Sequence, residues 1–381
     1  MNNKSIRLMY AIALLQGMVF YAPVATLYRQ AQGVSLFQIT IIESISLFVM
    51  IALEIPWGFV ADSIGYKKTL VICNALYFVS KIVFWQATGF AWFLAERLLL
   101  SVVQAGISGC DSAYLFIATG EKESRRVFGV YSAMGMAGLM IAAVVFSAVS
   151  ADNYRLAAFL TVVSYGVSMA LSFALGDPGI REVRRYCFAS DFKAVISALR
   201  GNKRFFMFLI AAMLLAESNQ TITVFLSQVQ YVRAGIETKY MGYIYILITL
   251  AGLTAALSGR LVSHIGESRA GKMLFAAAAI ACAATAFTTD PLLSVLLIML
   301  LRLSASMFAP ISMSIQNRQI SIPARATLLS VYSCIMNAGA IFTNLMFGRL
   351  ADISVSLALG TGAAFCIIGL ILYSVWARKA A

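Results

Sequence analysis

The sequence has little charge and few of the side chains on which enzyme chemistry depends. Only 12% of the 381 residues are charged, against about 25% in an ordinary soluble domain. His264 is the only histidine, and the six cysteines form no CxxC pair or Cys/His cluster for a metal. A GxxxxGK[ST] phosphate loop and a nucleophilic triad are also missing. The sequence therefore predicts no enzyme activity, no cofactor, no metal site and no ATP-driven transport.

Apolar residues take the place of the missing charge and make up 61% of the chain. A helix crosses the roughly 30 Å hydrocarbon layer with about 20 apolar residues. Backbone groups in lipid need partners within their own segment, and continuously apolar runs of this length indicate helices. The sequence predicts an all-α membrane protein in a lipid bilayer, with twelve transmembrane helices at about 6–30, 36–61, 69–88, 90–119, 127–150, 155–176, 204–232, 240–263, 271–289, 291–317, 326–351 and 355–377.

The formal net charge of +13 does not indicate a nucleic-acid partner, because the basic residues lie in short loops and form no single patch. With the N-terminus placed in the cytoplasm, the termini and inner loops hold most of the 29 Lys and Arg residues. Cytoplasmic loops of membrane proteins carry this excess. We therefore predict that both termini are cytoplasmic and that the first apolar run is a retained helix.

An internal repeat relates the two halves of the chain. At an offset of 201 residues, "VYSAMGMAG" (130–138) aligns with "VYSCIMNAG" (331–339), and Gly58 and Gly65 align with Gly259 and Gly266. Two pseudo-symmetric six-helix halves follow, with boundaries predicted at 1–176 and 204–381. The basic segment 177–203 between them is interpreted as a cytoplasmic linker. Its "DFKAVISALRGNKR" portion forms either an amphipathic surface helix or a simple loop.

The segment "GFVADSIGYKK" resembles the signature loop of the major facilitator superfamily, and "GRLVSHIGESR" is a weaker second copy in which Ser263 replaces the aspartate. The segments "EIPWG", "SGCDSAYLF" and "RATLLS" resemble a bacterial subset of that family with proposed exporters. The resemblance implies the superfamily fold, alternating-access transport and the bacterial cytoplasmic membrane. Two departures are Ser63, where arginine is usual, and the absence of a Gly-Pro motif in the fifth span.

The resemblance also implies a cytoplasmic latch between the halves. Asp62 would accept hydrogen bonds from the start of the eleventh helix, near residues 324–327, where the helix dipole favours an anion. The alternative is a charge that only fixes topology. The predicted gating residues are Gly58, Asp62, Gly65, Lys67, Lys68, Arg125 and Arg126.

In this fold the first, fourth, seventh and tenth helices are expected to line the substrate cavity, and each has a polar face. The predicted substrate-binding residues are Gln16, Tyr21, Arg97, Gln104, Glu217, Gln220 and Arg302. In the fourth helix the face continues through Ser101 and Ser108 to Asp111. Two arginines suit an anionic or zwitterionic substrate. Alternatively, Arg97 and Arg302 pair with Glu96, Glu43 or Glu217 and tie helices together.

Proton coupling needs a carboxylate that alternately binds and releases a proton. The candidates are Glu43, Glu54, Asp111 and Glu217, of which Asp111 and Glu217 are favoured because they lie on cavity helices. Lys81 is expected to pair with Glu96. The predicted function is proton-coupled transport of a small organic solute by a monomer, with export slightly favoured. The alternatives are uptake or exchange of an organic anion or zwitterion, and a membrane sensor or scaffold that does not transport.

Overall fold

The computed structural model describes residues 3–119, 121–151, 153–177, 203–318 and 325–378. None of these residues forms a β-strand, and almost all of them are helical. Except for Asp177 and Lys203, the predicted linker at 177–203 lies outside the described residues, together with its proposed amphipathic helix.

The described residues form twelve helices, α1 to α12, several of them in segments. In the first half they are α1 (Asn3–Gly17 and Ala25–Ala31), α2 (Leu36–Ile64), α3 (Tyr66–Gln86), α4 (Gly89–Ile107 and Cys110–Thr119), α5 (Glu121–Val145, then a π-helical turn, Phe146–Ser150) and α6 (Tyr154–Phe173). In the second half they are α7 (Lys203–Gln220, π-helical Thr221–Leu226 and Ser227–Arg233), α8 (Thr238–Ala251, 3₁₀ Gly252–Leu257 and Ser258–Ile265), α9 (Glu267–Phe287), α10 (Pro291–Arg318), α11 (Arg325–Ile353) and α12 (Val355–Ala377).

The all-α membrane fold predicted from the sequence is confirmed. Within the described residues, eleven helical stretches are long and apolar enough to cross a membrane. The 29-residue helix α11 occupies the position of the remaining predicted span. Most helix ends agree with the predicted spans to within three residues. The exceptions are α5, which begins at Glu121 where the sequence predicts 127, and α9, which begins at Glu267 where the sequence predicts 271.

The 201-residue repeat is visible in the local geometry of the two halves. Helix α3 spans Tyr66–Gln86 and α9 spans Glu267–Phe287. The first and last residues of α9 therefore each lie one repeat offset after those of α3. Gly65 (φ 89°, ψ 151°) and Gly266 (φ 82°, ψ 153°) end one helix and begin the next with almost the same backbone angles. The two glycines therefore form equivalent joints between consecutive helices.

We expect Gly65→Ala and Gly266→Ala each to lower the free energy of unfolding by about 1–2 kcal/mol, because a Cβ is strained at positive φ. Thermal unfolding in detergent measures the change. Gly58→Ala is the control, since Gly58 lies inside α2 with no heavy atom within 4 Å of an added Cβ. Equal effects at all three positions would contradict the assigned role of the backbone angles.

Contacts between Cα atoms divide the chain into two compact units. The first comprises Met1–Gln38, Ile45–Arg184 and Thr238–Tyr243, and the second comprises Ile39–Ser44, Arg185–Glu237 and Ile244–Ala381. These bounds resemble the predicted halves but exchange two short segments between them.

The first unit is built around close packing of α1 on α5 and of α3 on α4 and α6. Gly17 and Gly138 lie where α1 and α5 meet. An added Cβ at Gly17 would collide with the backbone carbonyl of Gly135, and one at Gly138 would collide with that of Leu14. Small residues allow membrane helices to approach in this way.

The second unit is built around α9, α10 and α12. Its interior contains a cluster of aromatic rings in which Tyr373 contacts Phe275 (centroids 5.6 Å apart) and Phe308 (5.6 Å). Gly271 leaves room for the Tyr373 ring, because an added Cβ would collide with it. Together these contacts form the side of the unit against which α7 packs.

Helices α1 and α4 are interrupted, although the sequence predicts each as one continuous span. In α1 the break lies between Gly17 and Ala22. In α4 it lies at Ser108 and Gly109, and Gly109 has a φ of 85°. Because a residue at positive φ cannot continue a right-handed helix, the polar face predicted along α4 does not run in one phase to Asp111.

Candidate functional site

A cavity of about 360 Å³ lies in the second unit, within the size range of small-molecule sites. Helices α7, α10 and α11 form its walls. The polar lining residues are Glu217, Ser312, Gln316, Ser333 and Asn337. The apolar lining residues are Ala212, Leu215, Ala216, Ala305, Phe308, Ala309, Met313 and Met336.

Helical spacing explains why α10 contributes so many of these residues. Ala305, Ala309, Ser312 and Gln316 recur at intervals of three and four residues, which places them on one face. The two alanines leave the space of the cavity open. Gln316 is held by a hydrogen bond that its Nε2 donates to the hydroxyl of Ser312 (3.0 Å). Its amide oxygen therefore stays available as an acceptor.

Among the described residues of the cavity wall, Glu217 alone is ionisable. Its carboxylate makes no hydrogen bond or ion pair with any residue that the structure describes. The next two residues along α7, Ser218 and Asn219, are polar and buried. The hydroxyl of Ser218 and the amide oxygen of Asn219 have no hydrogen-bond partner among the described residues. A charged carboxylate in a largely apolar wall is costly unless a proton or a cation neutralises it.

The π-helical turn of α7 begins four residues after Glu217. Thr221 at its start is fully buried and donates a hydrogen bond to Oδ1 of Asn344 on α11 (3.0 Å). π-Helical turns are rare and occur frequently at functional sites. The turn and this bond hold the polar segment of α7 against α11 next to the cavity.

Arg302 and Gln220, which the sequence places in the substrate site, do not line this cavity. Gln220 is exposed. Arg302 lies one turn before Ala305 on α10, beside Gly252 of α8, where an added Cβ would lie 3.0 Å from Nη2. Its Nε is buried and makes no hydrogen bond with the described residues. The described residues of the cavity wall therefore include a carboxylate but no cationic side chain.

In the first unit, Gln16 and Tyr21 bind other helices. Gln16 donates to Oδ1 of Asn74 on α3 (2.8 Å), and its carbonyl accepts a hydrogen bond from the Tyr165 hydroxyl (2.7 Å). The Tyr21 hydroxyl accepts from Nζ of Lys81 (3.0 Å), and its ring stacks on Phe84 at 3.9 Å. Both side chains stabilise the packing of α1 against its neighbours.

A buried charge cluster surrounds Lys81. Its Nζ lies 3.9 Å from Oε1 of Glu96, as predicted, and the two side chains are 5% and 1% exposed. Arg29 is also buried, with its guanidinium 5.9 Å from the centre of the Phe84 ring. Arg29 is not among the predicted interior residues, although it falls inside the first predicted span. A cation there packs on aromatic rings instead of reaching the headgroups.

We expect Glu96→Gln to destabilise the protein by about 3–5 kcal/mol, because it leaves the ammonium of Lys81 buried without its carboxylate. Lys81→Met should have a similar effect on Glu96. The double variant should recover part of the loss, since neither charge then remains. Thermal unfolding of the three variants in detergent measures this, and strictly additive losses would contradict a direct Lys81–Glu96 interaction.

The predicted polar face of α4 separates into two parts. Ser101 is fully buried, and its hydroxyl lies 2.7 Å from that of Ser46 on α2. Arg97 and Gln104 are half-buried. Beyond the break, Oδ1 of Asp111 accepts a hydrogen bond from the backbone N–H of Ser112 (2.6 Å). Asp111 thus lies in the first turn of the second segment of α4, where the helix dipole favours a negative charge.

The remaining candidates differ in exposure. Glu43 is buried and Glu54 is exposed, although both lie on α2. Lys68 and Arg126 are exposed, and Lys67 is half-buried.

The latch stays a prediction, because the side chains of Asp62 and Arg125 and the residues 319–324 lie outside what the structure describes. In the second copy of the signature loop, Glu267 pairs with Arg318 and so connects the start of α9 to the end of α10. Of the described side chains, no group of three or more His, Cys, Asp or Glu residues could hold a metal ion.

The sequence matches a known protein family, and the fold matches solved structures. The family profile described as Major Facilitator Superfamily matches residues 8–301. No curated protein sequence matches. Among solved structures, the nucleoside transporter NupG is similar, with a TM-score of 0.82 and 16% identity over 99% of both chains. A D-xylose-proton symporter has a TM-score of 0.71 and 13% identity over 98% of this chain and 96% of its own. At these identities the likeness is one of fold.

Proposed function

Because the chain belongs to the major facilitator superfamily, we propose that it transports a small organic solute by alternating access and couples this movement to protons. The fold is that of secondary transporters of small solutes. The observation that carries the proposal is the cavity of the second unit, whose wall is largely apolar and in which the Glu217 carboxylate makes no hydrogen bond or ion pair with the described residues.

Glu217 is the proposed proton carrier. Asp111, the other favoured candidate, accepts a hydrogen bond from the Ser112 backbone and lies at a helix start. Asp111 therefore already has a partner within its own helix. Glu217 has no such partner in the part of the chain that the structure describes, and we propose that a proton or a ligand neutralises its charge. A carboxylate in this position can release a proton when it binds a ligand, and release the ligand when it binds a proton.

We further propose that the protein is a monomer in the bacterial cytoplasmic membrane with both termini in the cytoplasm. The excess of Lys and Arg at the termini and in alternate loops supports this orientation. Asp62, with Arg125 or Arg126, is proposed to latch the halves on the cytoplasmic side. Export is favoured over uptake on the resemblance of the short motifs alone.

Two alternatives remain, each with a feature in its favour. Uptake or exchange of an organic anion or zwitterion is favoured by Arg302, whose buried Nε makes no hydrogen bond with the described residues. A sensor or scaffold that does not transport is favoured by the degraded second signature loop, in which Ser263 donates to the Arg260 carbonyl (2.8 Å).

Reconstituted protein tests the proposal. Liposomes containing the purified protein and an internal pH dye are exposed to a panel of labelled amines, nucleosides, sugars and carboxylates. We expect counterflow of one class, accompanied by a proton signal. Counterflow without proton movement would contradict proton coupling, and the absence of counterflow throughout a broad panel would favour the sensor.

A further inference from the structure

The charge of the cavity indicates which solutes it can hold. Its described lining residues include one carboxylate, Glu217, and no lysine, arginine or histidine. An anion placed here would face the carboxylate across a cavity of about 360 Å³, with no opposite charge among these residues. Like charges in a poorly solvated site repel strongly. The cavity therefore disfavours anions when Glu217 is charged.

The hydrogen-bonding groups of the cavity agree with this charge. The Glu217 carboxylate only accepts hydrogen bonds, and neither of its oxygens is used within the described residues. The amide of Gln316 donates one of its two N–H groups to Ser312, and its oxygen can accept a hydrogen bond from a ligand. A ligand that brings N–H donors and a positive charge satisfies both groups.

The rest of the wall is apolar and polarisable. Phe308, Met313 and Met336 contribute one aromatic ring and two thioethers. Cations are attracted to aromatic faces, and thioethers adapt to the shape of an apolar group. A ligand with a hydrophobic body next to its charge can use these side chains as well as the carboxylate.

We propose that this cavity binds a small amphipathic organic cation, with a protonated amine against Glu217 and an apolar body against Phe308 and the two methionines. This inference rests on the proposed function and names its substrate class. Solute and proton then occupy the same carboxylate in turn, so that binding of the amine displaces the proton.

Three probes of nearly equal size separate charge from shape: benzylammonium, benzyl alcohol and benzoate. Equilibrium dialysis at neutral pH against the full-length protein in lipid nanodiscs, with empty nanodiscs subtracted, measures their binding. We expect benzylammonium to bind at least about tenfold more tightly than benzyl alcohol, and benzoate not to bind, since a hydrogen bond to a charged group has this magnitude.

Variants assign the effect to Glu217. Glu217→Gln should remove the preference for benzylammonium, whereas Glu217→Asp should keep part of it. Glu237→Gln is the matched control, because Glu237 is an exposed carboxylate outside the cavity. The comparison of the three probes on the unaltered protein remains a test even if a Glu217 variant fails to fold.

Tighter binding of benzoate, equal binding of all three probes, or binding of none would overturn the inference. None of these outcomes decides whether the protein transports a solute, because equilibrium dialysis measures binding alone. The counterflow assay tests transport separately. Conversely, binding of benzylammonium that depends on Glu217, in a protein that shows no counterflow, would support the cation site and contradict transport.

Discussion

Glu217→Gln is expected to abolish solute-dependent proton movement, down to the background of liposomes without protein. Glutamine has nearly the shape of glutamate but neither binds nor releases a proton. None of the other described residues in the cavity wall is ionisable and could replace it. Measurement of the internal pH of proteoliposomes after addition of a transported solute tests this expectation.

Two variants serve as controls for this experiment. Glu237→Gln makes the same chemical change at an exposed position and should leave the proton signal intact. Asp111→Asn separates the two favoured carboxylates: if Glu217 carries the proton, this variant keeps a proton signal with each transported solute. Loss of the signal in Asp111→Asn with its retention in Glu217→Gln would reverse the assignment.

The sequence predicts the helices and the repeat well because both depend on local properties. Hydrophobic length identifies the spans, and the glycines at 65 and 266 recur at the same offset and adopt the same backbone angles. These angles determine where α3 and α9 begin. The spans and the repeated glycines can therefore be predicted without knowing which helices pack against each other.

The helix interruptions are harder to predict, since apolar composition continues through them. Gly109 breaks α4 although the hydropathy of the span is uninterrupted. The pair Ser108–Gly109 was the available signal, because glycine readily adopts positive φ. The π-helical turn at Thr221–Leu226 likewise shifts the phase of all later residues of α7. Faces counted with one uniform helical period therefore fail beyond these points.

Burial of individual polar residues depends on neighbours that the sequence does not identify. Gln16 and Tyr21 have the residue types of a binding site, yet Asn74 and Lys81 occupy their hydrogen-bonding groups. Arg302 lies on the face of α10 that lines the cavity but beside Gly252 and outside the lining. Periodicity assigns a residue to a face, and packing decides what that face contacts.

Gly138→Ala is expected to destabilise the protein severely, by about 1–3 kcal/mol or more, as overpacking does in tightly packed interiors. Gly138 lies on α5 at its contact with α1, and an added Cβ would collide with the backbone carbonyl of Leu14. A backbone carbonyl within a helix cannot rotate away, so that α1 and α5 would have to separate. Thermal unfolding followed by size-exclusion chromatography in detergent measures the loss.

The repeat supplies the matched control, because Gly339 occupies the position equivalent to Gly138 in the second half. An added Cβ at Gly339 meets the sulfur of Met213, which lies near the end of a flexible side chain. Met213 can adopt another rotamer, and alanine favours a helix over glycine by about 1 kcal/mol. Gly339→Ala should therefore change the stability by less than about 1 kcal/mol. If both variants lose the same stability, the close approach of α1 and α5 is not what requires glycine at this position.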